Sequence, residues 1–396
     1  MQTHHLYIHF PYCLYKCHYC DFNSYALEPS EIPYDAYTEA LSLELAVRQQ
    51  MNVDSGPYFF SPDTEIKTIF FGGGTPSLMP QIQIQKILAA VRKYFVISEE
   101  AEITLECNPG TLNPQTLAGF KESGINRISI GVQSFNDKYL ARFGRIHTGK
   151  EAEQAISMAL ELGIDVSGDL IFGFPGQTLK EWQQDLTILS QYDLSHASCY
   201  ALTAEPGTQY YQNIKQGDFK EAEDELFYEM MQHTYHFMAE QGLPAYEISN
   251  FAKQGKQCRH NLAYWQYQDF LGIGAGACGQ IVHGGLLNKE SFALRTMNLK
   301  QPQSYEQALT EAKFLKPENI QKKQAMFEFL MMGLRLKQGI SLKRFAEVFQ
   351  QEIESVYSDA ISKAKEGGLL IQDQKRLIPT EQGFYFNNRL LEFFIN

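Results

Sequence analysis

Cys13, Cys17 and Cys20 fall within one short stretch, Cys13-Leu14-Tyr15-Lys16-Cys17-His18-Tyr19-Cys20, directly after the apolar run Leu6-Tyr7-Ile8-His9-Phe10. Thiolates this closely spaced can converge on one soft metal centre, and iron–sulfur clusters and zinc are the usual occupants. Closed clusters and structural zinc sites take four protein ligands, yet the other cysteines, Cys107, Cys199, Cys258 and Cys278, are scattered singly. Three thiolates on a four-iron cluster leave one iron with an open position, where chemistry can occur. The spacing alone leaves two alternatives open: a zinc site completed by His18 or His9, and three unrelated buried thiols.

A second set of residues that could do chemistry follows apolar runs. Gly72-Gly73-Gly74-Thr75-Pro76 follows Ile69-Phe70-Phe71, and Glu106, Gln133 and Asp169 lie at or near the ends of three further runs. A glycine triplet admits backbone N–H and C=O groups to a ligand that a Cβ would exclude; an ordinary tight turn explains it equally well. It matches neither the dinucleotide fingerprint nor the phosphate loop. Taken singly, Glu106, Gln133 and Asp169 read equally well as helix caps or exposed turn residues. On successive strands they would converge on one patch. Arg145 could present a planar fork to a carboxylate, or could be a solvated cation at a helix end.

Those positions require strands that stop at one face. Strand-like runs at Leu6–His9, Ile66–Phe71, Ile103–Cys107, Arg127–Val132, Asp165–Phe172 and Ala197–Leu202 alternate with helical patterns near Tyr34–Gln50, Gln81–Tyr94, Gln115–Ser123, Lys150–Leu162, Leu179–Ser190 and Glu221–Gln241. Each strand followed by a helix reads as a parallel α/β architecture, with short, β-branched, apolar strands covered by helices. Ligands of such sheets bind at the C-terminal strand ends. Periodicity does not separate an open sheet from a curved partial barrel.

The chain of 396 residues is long enough for about two domains. The boundaries expected are 1–285 for the α/β part and 300–396 for a helical module. In that module, helices at Met326–Lys337, Ser341–Phe349 and Ser355–Lys365 precede a hairpin over Gly368–Pro379, the pattern of a winged-helix-like domain. Basic and acidic residues balance across 341–378, so the basic face of a DNA reader is missing. A net charge of −12 argues against attraction to phosphate backbones or anionic lipid, and no nucleic-acid partner is expected. The N-terminus lacks the features of a signal peptide, and no run is long and apolar enough to span a bilayer. An odd cysteine count without framework spacing fits a reducing compartment, so a cytoplasmic protein is expected.

Together with the cysteine spacing, the runs Tyr7-Ile8-His9-Phe10-Pro11-Tyr12-Cys13, Gly72-Gly73-Gly74-Thr75-Pro76, Gly131-Val132-Gln133-Ser134-Phe135-Asn136 and Asp169-Leu170-Ile171-Phe172-Gly173-Phe174-Pro175 resemble the coproporphyrinogen dehydrogenase-like family of radical S-adenosylmethionine (SAM) proteins. The resemblance covers nearly the whole chain. It implies a radical SAM partial (β/α)6 TIM-like barrel in which Cys13, Cys17 and Cys20 hold a [4Fe-4S] cluster whose open iron chelates SAM. It further implies that Tyr7, Gly73, Gly74, Thr75, Glu106, Gln133, Arg145, Asp169 and, more weakly, Ala201 contact SAM. If SAM were cleaved, cluster reduction would break a carbon–sulfur bond and generate a 5′-deoxyadenosyl radical, with the protein supplying orientation and exclusion of water.

Two features separate the branches of that family. Its oxygen-independent coproporphyrinogen III dehydrogenases carry a further cysteine two residues beyond the third cluster ligand, where this chain has Phe22. His260-Asn261-Leu262-Ala263-Tyr264-Trp265 resembles the His-Asn-x-x-Tyr-Trp signature of its heme chaperones, and the small-residue run Gly272–Ala277 follows. By that resemblance His260 is the first candidate for a heme-iron ligand, Cys258 is a rival thiolate, and the two aromatic rings would pack on the macrocycle. Unaided, the segment reads as a polar loop whose histidine caps a helix and whose tryptophan is core. A loop position carries the expectation that losing His260 leaves the fold intact. The function expected is heme delivery to acceptor proteins at a respiratory membrane, with a flavodoxin or ferredoxin as electron donor. The rival is the dehydrogenase, which would use SAM radical chemistry to decarboxylate two propionates.

Overall fold

The computed structural model describes residues 3–54, 65–282, 291–311 and 317–395. Six parallel strands, β1 (Thr3–Phe10), β2 (Glu65–Gly73), β3 (Val96–Cys107), β4 (Arg127–Gln133), β5 (Asp165–Phe172) and β6 (His196–Ala201), alternate with helices α1 (Tyr34–Asp54), α2 (Gln81–Tyr94), α3 (Pro114–Ser123), α4 (Gly149–Glu161) and α5 (Leu179–Leu189). Helix α6 (Asp224–Glu240) follows β6. The starts of α3, α4 and α5 are written in reciprocal caps, Asn113 with Thr116, Thr148 with Glu151 and Thr178 with Glu181. Each cap satisfies backbone N–H groups that have no partner within the helix.

The strands are not uniformly apolar. They alternate: Leu6, Ile8 and Phe10 on β1, Ile103 and Leu105 on β3, and Ile128, Ile130 and Val132 on β4 pack into one core beneath the helices. Ile84, Ile87, Leu88 and Val91 of α2 supply the facing side of that core at helical spacing. The intervening residues, among them Tyr7, Glu106, Arg127, Ser129, Asp169, Ser198 and Tyr200, line a single cavity. A sheet whose first and sixth strands face the same cavity must be rolled. Among the described residues it is a partial barrel, because the eleven-stranded sheet does not close on itself.

The sheet extends beyond the six expected strands. In order it runs β11-β10-β9-β8-β1-β2-β3-β4-β5-β6-β7, where β7 is Asn250–Ala252, β8 Phe270–Ile273, β9 Cys278–Val282, β10 Ala293–Met297 and β11 Glu318–Ile320. Strand β8 is a further parallel neighbour of β1, whereas β7, β9, β10 and β11 are antiparallel additions. Here the small-residue run has a local explanation. A Cβ on Gly272 would lie 1.8 Å from the Cys278 carbonyl oxygen, so only glycine lets β8 and β9 come this close.

Helix α7 (Arg259–Trp265) packs against β2, and α8 (Pro302–Thr310) against α1. A second core, centred on Phe329, Phe345, Phe349, Ile361 and Leu377, joins α9 (Lys322–Gly333), α10 (Leu342–Phe349) and α11 (Glu354–Glu366) to a small sheet. That sheet consists of β12 (Ile340–Ser341), β14 (Arg376–Pro379) and β13 (Leu370–Gln372), in that order, which makes the unit winged-helix-like. Tyr267, Phe292 and Ile320 of the large sheet region belong to this second core, so the two units share packing. Among the described residues no helix is long and apolar enough to cross a membrane.

Candidate functional site

The cavity has a volume of about 550 Å³ and runs from the cysteine loop at the C-terminal strand ends down the barrel axis. That size falls in the range of small-molecule sites, ~300–1,000 Å³. Its lining includes Cys13, Cys17, Cys20, Tyr7, Gly73, Gly74, Thr75, Glu106, Gln133, Arg145, Asp169, Ala201 and His260. The three cysteines, the nine positions expected to contact SAM, and His260 therefore face one space. Cys258 does not line it.

The cysteine loop is built onto the ends of β1 and β2. Gly74 N–H donates to the Phe10 carbonyl at 2.7 Å and Thr75 N–H to that of Tyr12 at 2.9 Å. A Cβ on Gly74 would lie 2.6 Å from the Tyr12 carbonyl oxygen; Gly73 has φ +115° and its Cβ would meet the His9 ring. The glycine triplet is thus accounted for by the close seat of the loop. From the far side, Asn23 Nδ2 donates to the carbonyls of Ala275 and Lys300, both at 2.9 Å. The Gly272–Ala277 run is packed against the chain's own backbone and carboxylates, with Gly274 N–H on buried Glu44 at 2.9 Å, and it does not line the cavity. Close approach at these small residues is thus made to the chain itself.

All three thiols are free, and two receive hydrogen bonds: Thr75 Oγ1 donates to Cys13 Sγ at 3.3 Å and Arg145 Nη1 to Cys17 Sγ at 3.4 Å. Burial raises the Cys13 and Cys20 thiols above the ordinary cysteine range. Three free thiols lining one cavity, two of them accepting hydrogen bonds, are a donor set suited to a soft cluster. The histidines considered as a fourth ligand are both engaged elsewhere. His9 bonds Tyr7 OH and the Asn23 carbonyl, and His18 bonds the Arg142 carbonyl and Tyr15 OH. Among the described residues no three His, Cys, Asp or Glu side chains are gathered closely enough to hold a single ion.

The polar strand ends and Arg145 line the same cavity as the thiols. Glu106 accepts from Gly73 N–H at 3.1 Å; burial, then the nearby Asp169 charge, push its carboxyl up to about 8. Asp169 is held by Ser129 Oγ at 2.7 Å and Ser167 Oγ at 3.0 Å. Gln133 sits at φ +67°, where the register between β4 and β5 slips. A non-glycine residue in this left-handed region is strained, and a bulge re-aims its side chain. Arg145 is not a solvated cation: its Nη2 donates to the Gly131 carbonyl at 2.6 Å and its Nε is buried without a partner. Tyr7 is held on His9 Nδ1 at 3.0 Å, and Ala201 lies exposed at the rim.

His260 is not in a loop. It is buried in the first turn of α7, whose leading N–H groups at Arg259 and His260 donate to the two oxygens of Glu102 at 3.0 and 3.1 Å. Its ring stacks on Phe70 and both nitrogens are bonded, Nδ1 to Thr68 Oγ1 at 2.6 Å and Nε2 to Tyr264 OH at 2.8 Å. The short helix formed because Glu102, remote in sequence, caps it; a local reading had no access to that partner. Burial, with His5 and Arg127 nearby, drives His260 well below the ordinary histidine range, so its ring is neutral. Cys258 is fully buried against Glu102, its thiol pushed up to about 12 by burial, which weakens it as a rival ligand. Tyr264 lines the cavity, but Trp265 does not; its ring takes the Arg335 guanidinium at 4.6 Å. Of the two rings expected on a macrocycle, only Tyr264 is placed for it.

The inward layer below these residues was missed in the sequence. Arg127, 6% exposed, lines the cavity and makes no side-chain hydrogen bond or ion pair among the described residues. Its donors are available to a carboxylate. Around it stand His196, bonded to Ser167 and Tyr246, and the Ser129 and Ser198 hydroxyls. The signal was the strict alternation in Arg127-Ile128-Ser129-Ile130 and His196-Ala197-Ser198-Cys199, which a strand buried in apolar surroundings on both faces does not show.

Residues 7–189 match the radical SAM superfamily and residues 320–386 the HemN C-terminal domain. The chain is 34% identical over 393 residues to the heme chaperone HemW of Bacillus subtilis, covering 98% of each chain. It is 35% identical over 394 residues to the heme chaperone HemW of Escherichia coli, covering 98% of this chain and 97% of that one. In structure it is similar to the coproporphyrinogen III oxidase HemN of Escherichia coli, with a TM-score of 0.80 at 19% identity, covering 99% of this chain and 90% of that one.

Proposed function

The chain belongs to the HemW family of radical SAM proteins, and from that premise we propose that it is a heme carrier. In this reading it holds a [4Fe-4S] cluster on Cys13, Cys17 and Cys20, binds SAM beside it, binds heme, and hands heme to respiratory acceptor proteins. It works in the cytoplasm and meets those acceptors at the membrane surface, with a flavodoxin or ferredoxin as electron donor.

The observation that carries the reading is the convergence of the three thiols, Glu106, Gln133, Arg145, Asp169 and His260 on one cavity. When bound, the cluster would supply an electron to SAM and a Lewis-acidic iron to its amino and carboxylate groups. The chain's own part is orientation. Arg145, already beside Cys17, can take a carboxylate next to the cluster; Glu106 can take the ammonium; the strained amide of Gln133 is held toward the same space. His260 is the first candidate for heme iron, and its Nε2 would exchange the Tyr264 hydroxyl for the metal.

The rival reading, coproporphyrinogen III dehydrogenase, shares the fold, and Phe22 stands where that enzyme carries a cysteine. One preparation decides between them. Anaerobically reconstituted protein is given hemin, passed through gel filtration and read by its Soret band; a second aliquot receives coproporphyrinogen III, SAM and a reductant. Retained heme without turnover is the expected result. Protoporphyrinogen formation would establish the dehydrogenase, and loss of all heme on the column would end the carrier reading. Near-stoichiometric iron and sulfide in Cys17→Ala would remove the cluster assignment.

A further inference from the structure

A line of hydrogen bonds runs from the residues just after α7 to the cavity. Gln268 Nε2 donates to Gln266 Oε1 at 2.7 Å, which turns the Gln268 carbonyl oxygen toward His5 Nε2 at 2.8 Å. His5 Nδ1 lies 2.9 Å from Thr68 Oγ1, Thr68 Oγ1 lies 2.6 Å from His260 Nδ1, and His260 Nε2 lies 2.8 Å from Tyr264 OH. His5, Thr68 and His260 are buried.

The direction of every bond follows from its first member. An amide oxygen only accepts, so His5 Nε2 carries its ring proton. The buried ring has its nitrogens on an amide oxygen and a hydroxyl, neither of which compensates a charge, so it is neutral and Nδ1 is bare. A bare Nδ1 accepts, which commits the single Thr68 proton to His5. The Thr68 oxygen must then accept from His260 Nδ1–H. The buried His260 ring has its nitrogens on two hydroxyls, neither of which compensates a second proton, so Nε2 keeps its lone pair and accepts from Tyr264 OH.

We infer that Thr68, oriented by His5 and Gln268, is a positioning residue that fixes His260 as the Nδ1–H tautomer and aims a bare Nε2 at the cavity for a metal. This rests on the reading of His260 as the heme-iron ligand. A histidine that binds metal through one nitrogen commonly donates its other N–H to a fixed acceptor, which sets ring orientation and raises basicity. Here a threonine hydroxyl, whose own proton is locked by a second histidine, fills that role. Tyr264 is the matching latch: its hydroxyl occupies Nε2 while no metal is there, and must leave when one arrives.

Thr68→Val removes both bonds at nearly constant volume, whereas Thr68→Ser keeps them. Protein carrying 15N-histidine, with the His260 resonances identified by their loss in His260→Gln, reports the tautomer without heme. We expect the Nδ1–H form in wild type and T68S, and a mixture or the Nε2–H form in T68V. Hemin affinity should fall about 10–100-fold in T68V and stay near wild type in T68S. Retention of the Nδ1–H tautomer in T68V overturns the inference, whatever the protein does with hemin. A hemin Soret spectrum indifferent to His260→Gln overturns the ligand reading instead, and is seen without any change at Thr68.

Discussion

The environment of a residue here often reverses its sequence reading. His260 looked like a dispensable loop imidazole, yet its ring is buried, stacked on Phe70 and bonded at both nitrogens. His260→Ala should therefore lower unfolding free energy by about 2–4 kcal/mol, combining an unfilled space with lost hydrogen bonds. Urea unfolding of the two proteins checks this, and an unshifted midpoint contradicts it. Glu106 carries a pH prediction. With its carboxyl raised to about 8 by burial and then Asp169, it is mainly protonated at neutral pH in the free protein. An ammonium needs the ionised form, so binding SAM at pH 7 should release a proton, and affinity should rise with pH before levelling off above about 8. Calorimetry in buffers of different ionisation heat measures the proton. Glu106→Gln should flatten this component, and a flat wild-type profile would remove Glu106 from the ammonium site.

At the scale of elements, the cysteine loop owes its position to glycine. Gly74 lies where a Cβ would stand 2.6 Å from the Tyr12 backbone oxygen, and the backbone cannot yield as a flexible side chain can. Gly74→Ala should displace Cys13 while leaving the helices intact. Iron and sulfide after anaerobic reconstitution should fall by more than half, with far-ultraviolet circular dichroism unchanged; full cluster content would show that the loop relocates without consequence. The strands themselves follow the pleat, whose side chains alternate between the helix-covered core and the cavity. That is why Arg127 and Ser129 of β4 and Asp169 of β5 share a cavity with Tyr7 of β1.

At the scale of the molecule, two cores meet around α7. Arg335 of the C-terminal unit stacks 4.6 Å above the Trp265 ring and lies 3.9 Å from the fully buried carboxylate of Glu247. Removing it should cost about 1–2 kcal/mol from the lost cation–ring contact and ion pair. Burial already raises the Glu247 carboxyl, so its ionisation in the unfolded chain favours unfolding as pH climbs. Without Arg335 that carboxyl rises further, and the destabilisation of Arg335→Ala should be larger at pH 8 than at pH 5. Denaturant melts at both values test this; equal losses would show that Arg335 and Glu247 do not communicate.

The sequence by itself determined the parallel βα order, the cysteine loop, the polar strand ends and the winged-helix-like hairpin. Each is encoded within a few residues: Thr148 and Glu151 cap one helix start, and Gly368–Pro379 carry their own turn. Tertiary structure alone decided that Phe270–Ile273 pairs with β1, that Glu102 caps the helix bearing His260, and that His5 and Thr68 meet that histidine. Those partners lie far apart along the chain, where no local pattern links them. What brings them together is the curl of a sheet that packs its apolar side beneath helices and turns its polar side onto one cavity.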